Sequence, residues 1–492
     1  MPGIGEQANV PLLEGDIAST IPVSVEDGDE DNEEDQLLSW RVWKESKKLW
    51  HIAGPTIFGL LASYCTLVIT QAFAGHLGSL DLAAISLAFY VIVNFNFGLL
   101  LGMASALETL CGQAFGAKKY DMMGVYLQRS WIVLFTCSIL LLPIYFFATP
   151  ILKLLGQHSD LAEAAGVASM CLIPFHISFA IQFPLQRFLQ SQLKTGVIAW
   201  VSLAALIVHV TVSWLFVYRL ELGLVGTAIS LNFAMWVMVI GLSGYTFCGG
   251  CPLTWSGFSV QAFSGLWEFI KLSVASGVML CLESWYSTLV LLVTGSLKNA
   301  ETAVDALSIC MSINGWEMMI SFGFFGATGV RVANELGAGN GRAAKFATKV
   351  SVVTSATIGF TLALLIVILH NDIALIFSSS KLILQEVNKL SVLLAIAILL
   401  NSVQPVLSGV AVGSGWQSYV AYINLGCYYL IGLPLGYVMG WEFHKGVMGV
   451  WGGMIGGTAI QTLILVVITI RCDWKKEADK ACMHVMKWAD TS

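Results

Sequence analysis

Charge is what this sequence has least of. Only 11% of its 492 residues are Asp, Glu, Lys or Arg, against 57% hydrophobic residues and a mean hydropathy of +0.77. So few charges could not solvate the exterior of a soluble protein this apolar, which excludes that class and indicates a polytopic membrane protein. Basic residues are missing altogether from positions 1–35, where 11 acids lie. The remainder carries 20 acids and 25 bases, so the nominal net charge of −6 describes a basic body of +5 with an acidic tail. The tail has too few apolar residues to fold alone and is expected to be disordered. Without a basic stretch leading into an apolar core, it is not a signal peptide either.

Nucleotide and catalytic motifs are also missing. No G-x-x-x-x-G-K-[ST] occurs, and Gly-Lys never appears, so ATP is not expected to power the chain directly. There is no H-E-x-x-H, serine elbow or zinc-type cluster. A non-enzyme is therefore expected, with no cofactor and an ion gradient as energy source. The 11 cysteines lie mostly in or beside apolar runs, where they serve as small hydrophobes. Cys248-Gly-Gly-Cys251 has no βαβ context and reads as a tight loop at a helix end.

What is abundant is apolar sequence of bilayer length. Twelve such runs, from 50–75 to 447–470, predict an all-α protein with twelve transmembrane helices. An even count puts both termini on one side. If that side is cytosolic, it takes 19 of the 25 Lys and Arg, and the other side takes Lys153, Arg219, Lys298, Lys381, Lys389 and Lys445. The positive-inside bias thus places both ends in the cytosol. The halves echo each other about 220 residues apart: Leu82–Leu87 with Val304–Ile309, Gly112–Tyr120 with Ala333–Gly341, and Gly223–Gly226 with Gly449–Gly452. Six helices separate equivalent positions, so the repeat is parallel, with its axis along the membrane normal. The expected organisation is a tail at 1–40, a six-helix lobe at 41–247, a cytosolic linker at 248–265, a second lobe at 266–470 and a cytosolic tail at 471–492. Two facing lobes enclose a cleft.

Several elements resemble the multidrug and toxic compound extrusion (MATE) transporters of plants: "ALETLCGQAFGA" (106–117), "CLESW" (281–285), "VRVANELGAGN" (330–340) and "VLSGVAVGSGWQ" (406–417). The opening "RVWKESKKLWHIAGP" and "VITQAFAGHLG" resemble the branch associated with vacuolar flavonoid transport. The resemblance implies two six-helix bundles related by a pseudo-twofold, a central cleft and cation-driven export of bulky organic solutes. It also favours the vacuolar membrane, with the plasma membrane as alternative, and a monomer that binds an organic solute, protons and lipid but no nucleic acid.

Glu283 interrupts an uncharged run from Leu272 to Val293. At about 100° per residue, Ser276, Glu283, Ser287 and Thr294 fall within about 40° of one another, a polar stripe that should face the bundle interior. The resemblance places the family's proton-coupling glutamate here. Glu317 shares a face with Asn314, Ser321 and Thr328, and is the second candidate. Many plant relatives carry an aspartate on helix ten where this sequence has Asn401, so Asn401 is expected to partner Glu283 without holding a proton. Gln404 and Ser408 continue its face. Tyr64, Gln71, Trp285, Tyr286, Asn314, Gln404 and Ser408 are the expected substrate contacts, in a cleft low in charge and rich in aromatics. Glu108 with Gln113 is assigned to the turn after helix two, and His176 and His209 read as satisfied interior histidines. The runners-up are a lipid-linked substrate flippase of the same superfold, which should show a cationic cavity, and a Na+-coupled exporter of organic cations.

Overall fold

The computed structural model describes residues 38–295, 301–377 and 380–490; the acidic segment 1–37 and Lys298 lie outside the described residues. Each apolar run becomes a helix. They are α1 (Leu38–Leu77), α2 (Ser79–Gly116), α3 (Tyr120–Phe146), α4 (Ser159–Cys171 and Ile173–Ser191), α5 (Thr195–Arg219) and α6 (Gly223–Gly250). The second half holds α7 (Leu266–Gly295), α8 (Glu301–Gly337), α9 (Gly341–Phe377), α10 (Lys381–Ser414), α11 (Gln417–Glu442) and α12 (Gly446–Arg471). Nine of the described helices are long and apolar enough to cross a bilayer, ten with the two pieces of α4 counted as one span. With α7 and α8, which carry Glu283 and Glu317, the expected twelve are complete.

Proline explains the local irregularities. The two pieces of α4 meet at 45°, beside Pro174, which has no N–H to continue the hydrogen-bond ladder. Pro405 lies inside α10 and cannot donate to the carbonyl of Asn401 one turn earlier. Elsewhere the turns widen: α2 over Ala88–Val93 and α11 over Leu425–Gly432 adopt the looser i→i+5 pattern.

The lobes meet along helices that the repeat makes equivalent. Gly112 of α2 faces Ala333 of α8 so closely that a Cβ there would stand 2.6 Å from the alanine methyl. On either side the contact repeats with partners exchanged. A Cβ on Gly116 would strike the Asn334 carbonyl, and one on Gly337 would strike the Gln113 carbonyl. Positions 112, 113 and 116 map onto 333, 334 and 337 by one constant shift, so the contact is self-complementary, as a twofold demands. The sequence echoes are not merely similar; they pack on each other across the axis. The same exchange relates the α1–α8 seam, where Ile57 crowds Gly323, to the α2–α7 seam, where Gly277 crowds Gly102.

The end of the bundle that bears Lys118, Lys119, Arg331 and Arg342 is tied by more than helix packing. Thr109 Oγ1 donates to the Val412 carbonyl (2.6 Å), and Gln113 Nε2 to the Gly413 carbonyl (3.2 Å). The inter-lobe linker is pinned at this end too. Gln128 donates to the Gly257 carbonyl (2.9 Å) and accepts from the Ser259 amide (2.8 Å), and Thr254 donates to Gln192 (2.7 Å). Cys248 and Cys251, at the end of α6, are both free thiols. The stretch after residue 470, expected as a C-terminal tail, carries a helix, α13 (Trp474–Asp490), which buries Trp474, Ala478, Ala481 and Val485 and exposes lysines opposite. Spacings of three and four residues place those four on one face, an amphipathic pattern.

Candidate functional site

Two carboxyls lie midway along helices of the second lobe. Glu317 on α8 is 6% exposed, and its Oε1 accepts from Ser321 Oγ at 2.5 Å. Its Oε2 is buried and has no partner among the described residues. Glu283 on α7 is partly buried, with Oε2 likewise enclosed and unpartnered. Helix α10 reaches both acids from a single turn. The Gln404 side chain stands near Glu283 and the Asn401 side chain near Glu317, while Asn401 donates Nδ2 to Asn314 Oδ1 at 2.9 Å. Gln404 also donates to Ser408 Oγ at 3.1 Å. Gln404 is thus the α10 amide near Glu283, and the expected partner Asn401 is bonded to Asn314. Three residues of helix separate them, enough to carry the second amide one turn along the face.

The wider turn of α11 completes the surroundings of Glu283. Because the backbone is loosened over Leu425–Gly432, two consecutive tyrosines both reach α7. Tyr428, near enough to Glu283 to feel its charge, stacks on Tyr286 (4.4 Å, 11°), and Tyr429 donates its hydroxyl to the Leu282 carbonyl (3.0 Å). Tyr286 itself donates to the Met454 carbonyl at 2.7 Å and is buried within the lobe. Its hydroxyl is committed and its ring covered, so it supports α7 and is not available to a solute. Of the expected stripe, Ser276 and Thr294 are buried but Ser287 is exposed, so the stripe does not share one environment.

The expected aromatic contacts fall into a pattern. Tyr64 of α1 meets Trp316 of α8 edge-on (4.9 Å, 79°), and Trp285 of α7 meets Phe95 of α2 edge-on (5.5 Å, 80°). The shift that maps α2 onto α8 carries Phe95 to Trp316 and Tyr64 to Trp285, so these are one pair seen twice. Each bridges the two lobes with rings in the edge-to-face geometry that aromatic quadrupoles favour. Phe95 and Trp316 are new to the site. Gln71, one heptad beyond Tyr64 on α1, is partly buried.

The same shift exposes an asymmetry. The counterpart of Glu317 in the first lobe is Asn96, a fully buried neutral amide whose Nδ2 donates to the Ile92 carbonyl (2.7 Å). That lobe's histidines are interior. His209 bonds Thr70 Oγ1 (3.1 Å), and His176 Nε2 meets the Ser138 carbonyl (3.0 Å). Glu108 is not held by Gln113. Its partner is Arg187 of α4, at 2.8 Å with both side chains nearly buried, and Arg187 also reaches Gln190 (3.1 Å). The sequence reading ended helix four at 183 and so left Arg187 outside it. The arginine lies well within the helix, one turn short of its end, and is already neutralised.

No group of three or more His, Cys, Asp or Glu suited to a metal ion occurs among the described residues. The site therefore offers two carboxyls, each with one unmet oxygen able to take a proton or a cation, beside amides and inter-lobe aromatic pairs.

Known proteins share this layout. The MatE family matches residues 55–215 and 275–438, one segment in each lobe with starts 220 residues apart. The chain is 64% identical to Protein DETOXIFICATION 27 of Arabidopsis thaliana over 460 residues, 93% of this chain and 95% of that protein. It is 60% identical to Protein DETOXIFICATION 26 of the same plant over 484 residues, 98% and 96% of the two chains. Among solved structures, the eukaryotic MATE transporter AtDTX14 superposes with a TM-score of 0.87 at 34% identity, covering 90% of this chain and 99% of that one. An outward-facing multidrug resistance MATE family transporter of the MOP superfamily superposes at 0.78 with 15% identity over 89% of this chain and 97% of that one, a likeness of fold alone.

Proposed function

Because the chain belongs to the multidrug and toxic compound extrusion family of membrane transporters, we propose that it is a proton-coupled antiporter that exports organic solutes from the cytosol by alternating access. One observation supports this reading above the others: Glu283 and Glu317 stand on separate helices, each with an enclosed, unmet oxygen and no ion pair among the described residues, and one turn of α10 places an amide near each. Glu108, by contrast, has its charge cancelled by Arg187. Ionisable groups within spans are costly unless they work, so two acids that form no ion pair among the described residues read as the coupling groups.

Deprotonated, Glu283 presents a negative charge to the inter-lobe space and can accept a hydrogen bond from the nearby Gln404 amide. Protonated, it loses that charge, and its new O–H seeks an acceptor, which the carbonyl end of the same amide can supply. Binding a proton therefore rearranges α10, and α10 carries the change to Asn401, Asn314 and Glu317. Uptake of a proton from the acidic compartment would release the solute there, and proton loss to the cytosol would restore the binding form. Edge-to-face pairs at both seams suit planar, hydroxylated aromatic solutes, and flavonoids are the first class to test. The basic end of the bundle is then cytosolic and the vacuolar membrane the favoured home, consistent with the charge bias and the resemblance of the first helix.

A flippase for phosphate-bearing lipids would need free cations in the cleft, and Arg187, the arginine of α4, is tied to Glu108. The test is uptake of a labelled flavonoid into proteoliposomes under an imposed pH gradient, with a sodium gradient as the comparison. Wild type should accumulate solute only with the pH gradient, and Glu283→Gln should not respond to it at equal reconstitution. Uptake driven by sodium alone, or undiminished in Glu283→Gln, would overturn proton coupling through this residue.

A further inference from the structure

A second space lies away from the carboxyls. A cavity of about 890 Å³ opens at the basic end of the bundle, between the starts of α7 and α11, the end of α12, and α13. Thr109 and Gln113 of α2 form part of its wall, so it belongs to both lobes. Its charged rim is balanced. Glu268 and Lys271 of α7 pair at 3.4 Å, and Glu477 and Lys480 of α13 pair at 2.6 Å. His484, lowered below the ordinary imidazole value by desolvation and then by Lys487, completes the rim. Glu268 is close enough to act on His484, so the α7 and α13 walls face each other.

Deeper features are those of an amphiphile site. Tyr419 and Tyr422, 72% and 76% exposed, stand at the outer wall where α11 would meet lipid. Leu465 and Ile468 extend an apolar surface away from the rim. Ser414 lines the cavity with a hydroxyl that is shielded from solvent and finds no partner among the described residues. Glu268 and Lys271 are both exposed, and such a pair holds together by little, so a ligand can part it at small cost; Glu477 is mostly covered and also accepts from Trp416 Nε1 (3.0 Å), which fixes it in the wall while Lys480 stays free to swing.

We propose that this cavity binds one phospholipid with a zwitterionic headgroup, drawn from the leaflet at the basic end. Its phosphate lies between Lys271 and Lys480, and its ammonium lies by Glu268 and Glu477 with the tyrosine faces beside it. The Ser414 hydroxyl meets a glycerol ester, and the acyl chains leave along Leu465 and Ile468. A balanced rim selects this lipid over an anionic one, because an anionic headgroup would take the lysines with its phosphate and leave the glutamates without a cation. Since α2 on one side and α7, α10, α11 and α13 on the other enclose the cavity, the lipid also favours the state in which the basic ends are together.

The test is native mass spectrometry of the full-length protein in detergent with chain-matched phosphatidylcholine, phosphatidylglycerol and diacylglycerol. Phosphatidylcholine should be retained about tenfold better than either. Lys271→Ala with Lys480→Ala should remove that advantage, and Glu268→Gln with Glu477→Gln should pass it to phosphatidylglycerol. Equal retention of all three lipids by wild type, or no change in either double variant, overturns the proposal. So does complete displacement by glycerophosphocholine at equal concentration, which would leave no role for the chains. If a double variant is not monodisperse, a photoactivatable phosphatidylcholine decides on wild type alone. Label on α11 and α13 peptides supports the site, and label confined elsewhere refutes it.

Discussion

Asn401 and Gln404 lie one turn apart on α10 and stand near different acids, Asn401 near Glu317 and Gln404 near Glu283. The two carboxyls are therefore separable by experiment. Asn401→Asp adds an acid that must titrate jointly with Glu317, so the pH profile of transport should move. The shift should persist in a Glu283→Gln background to whatever extent transport remains measurable by counterflow, and vanish with Glu317→Gln. Counterflow rates against pH for the single and double variants check this; a shift that survives Glu317→Gln would place Asn401 beside Glu283 after all.

Glu108 and Arg187 form a buried pair, and breaking one should cost far more than replacing both. Arg187→Gln leaves an uncompensated carboxylate, worth about 3–5 kcal/mol of stability. Adding Glu108→Gln should recover most of that loss. Thermal unfolding in detergent measures it, and a double variant no more stable than Arg187→Gln alone would contradict the pairing.

Gly116 and Gly337 meet backbone carbonyls, which no rotamer change can move aside. Gly116→Ala or Gly337→Ala should hold the basic ends apart, costing the closed form about 1–3 kcal/mol. Transport should fall at least tenfold while expression persists. Cysteine accessibility at neighbouring positions should rise in both variants alike, since the contacts are exchanged copies.

Trp285 and Trp316 are the larger members of the two inter-lobe pairs. Trp285→Leu and Trp316→Leu should each raise the apparent KM for an aromatic solute about threefold to tenfold, the worth of one aromatic contact. An aliphatic organic cation should be affected less. Equal loss for both solutes would make the rings structural only.

Much of this was legible in the sequence because it follows from periodicity. Long apolar runs can only be helices in a bilayer, and a mid-helix Glu283 has to be accounted for. Which amide reaches which acid was not legible, because neighbouring turns of one face differ only by helix rotation and tilt. Arg187 escaped because a bent span with Pro174 and Pro184 extends past the end of its apolar run. Tyr286 looked available because its neighbour Trp285 is, but adjacent helix positions point about 100° apart. The partners Phe95 and Trp316 had a readable signal: sliding one half of the sequence over the other aligns them, just as it aligns Tyr64 with Trp285. The amphipathic spacing of Trp474, Ala478, Ala481 and Val485 was equally visible, though short and highly charged.

The interlock of Gly116 under the Asn334 carbonyl and Gly337 under the Gln113 carbonyl constrains more than distance. Two helices keyed at symmetric notches cannot slide past each other along the membrane normal without forcing a carbonyl into a Cα at both. They can part sideways at no such cost. The lobes are thus free to tilt about their seams like two halves of a clasp, and barred from travelling up and down like a lift.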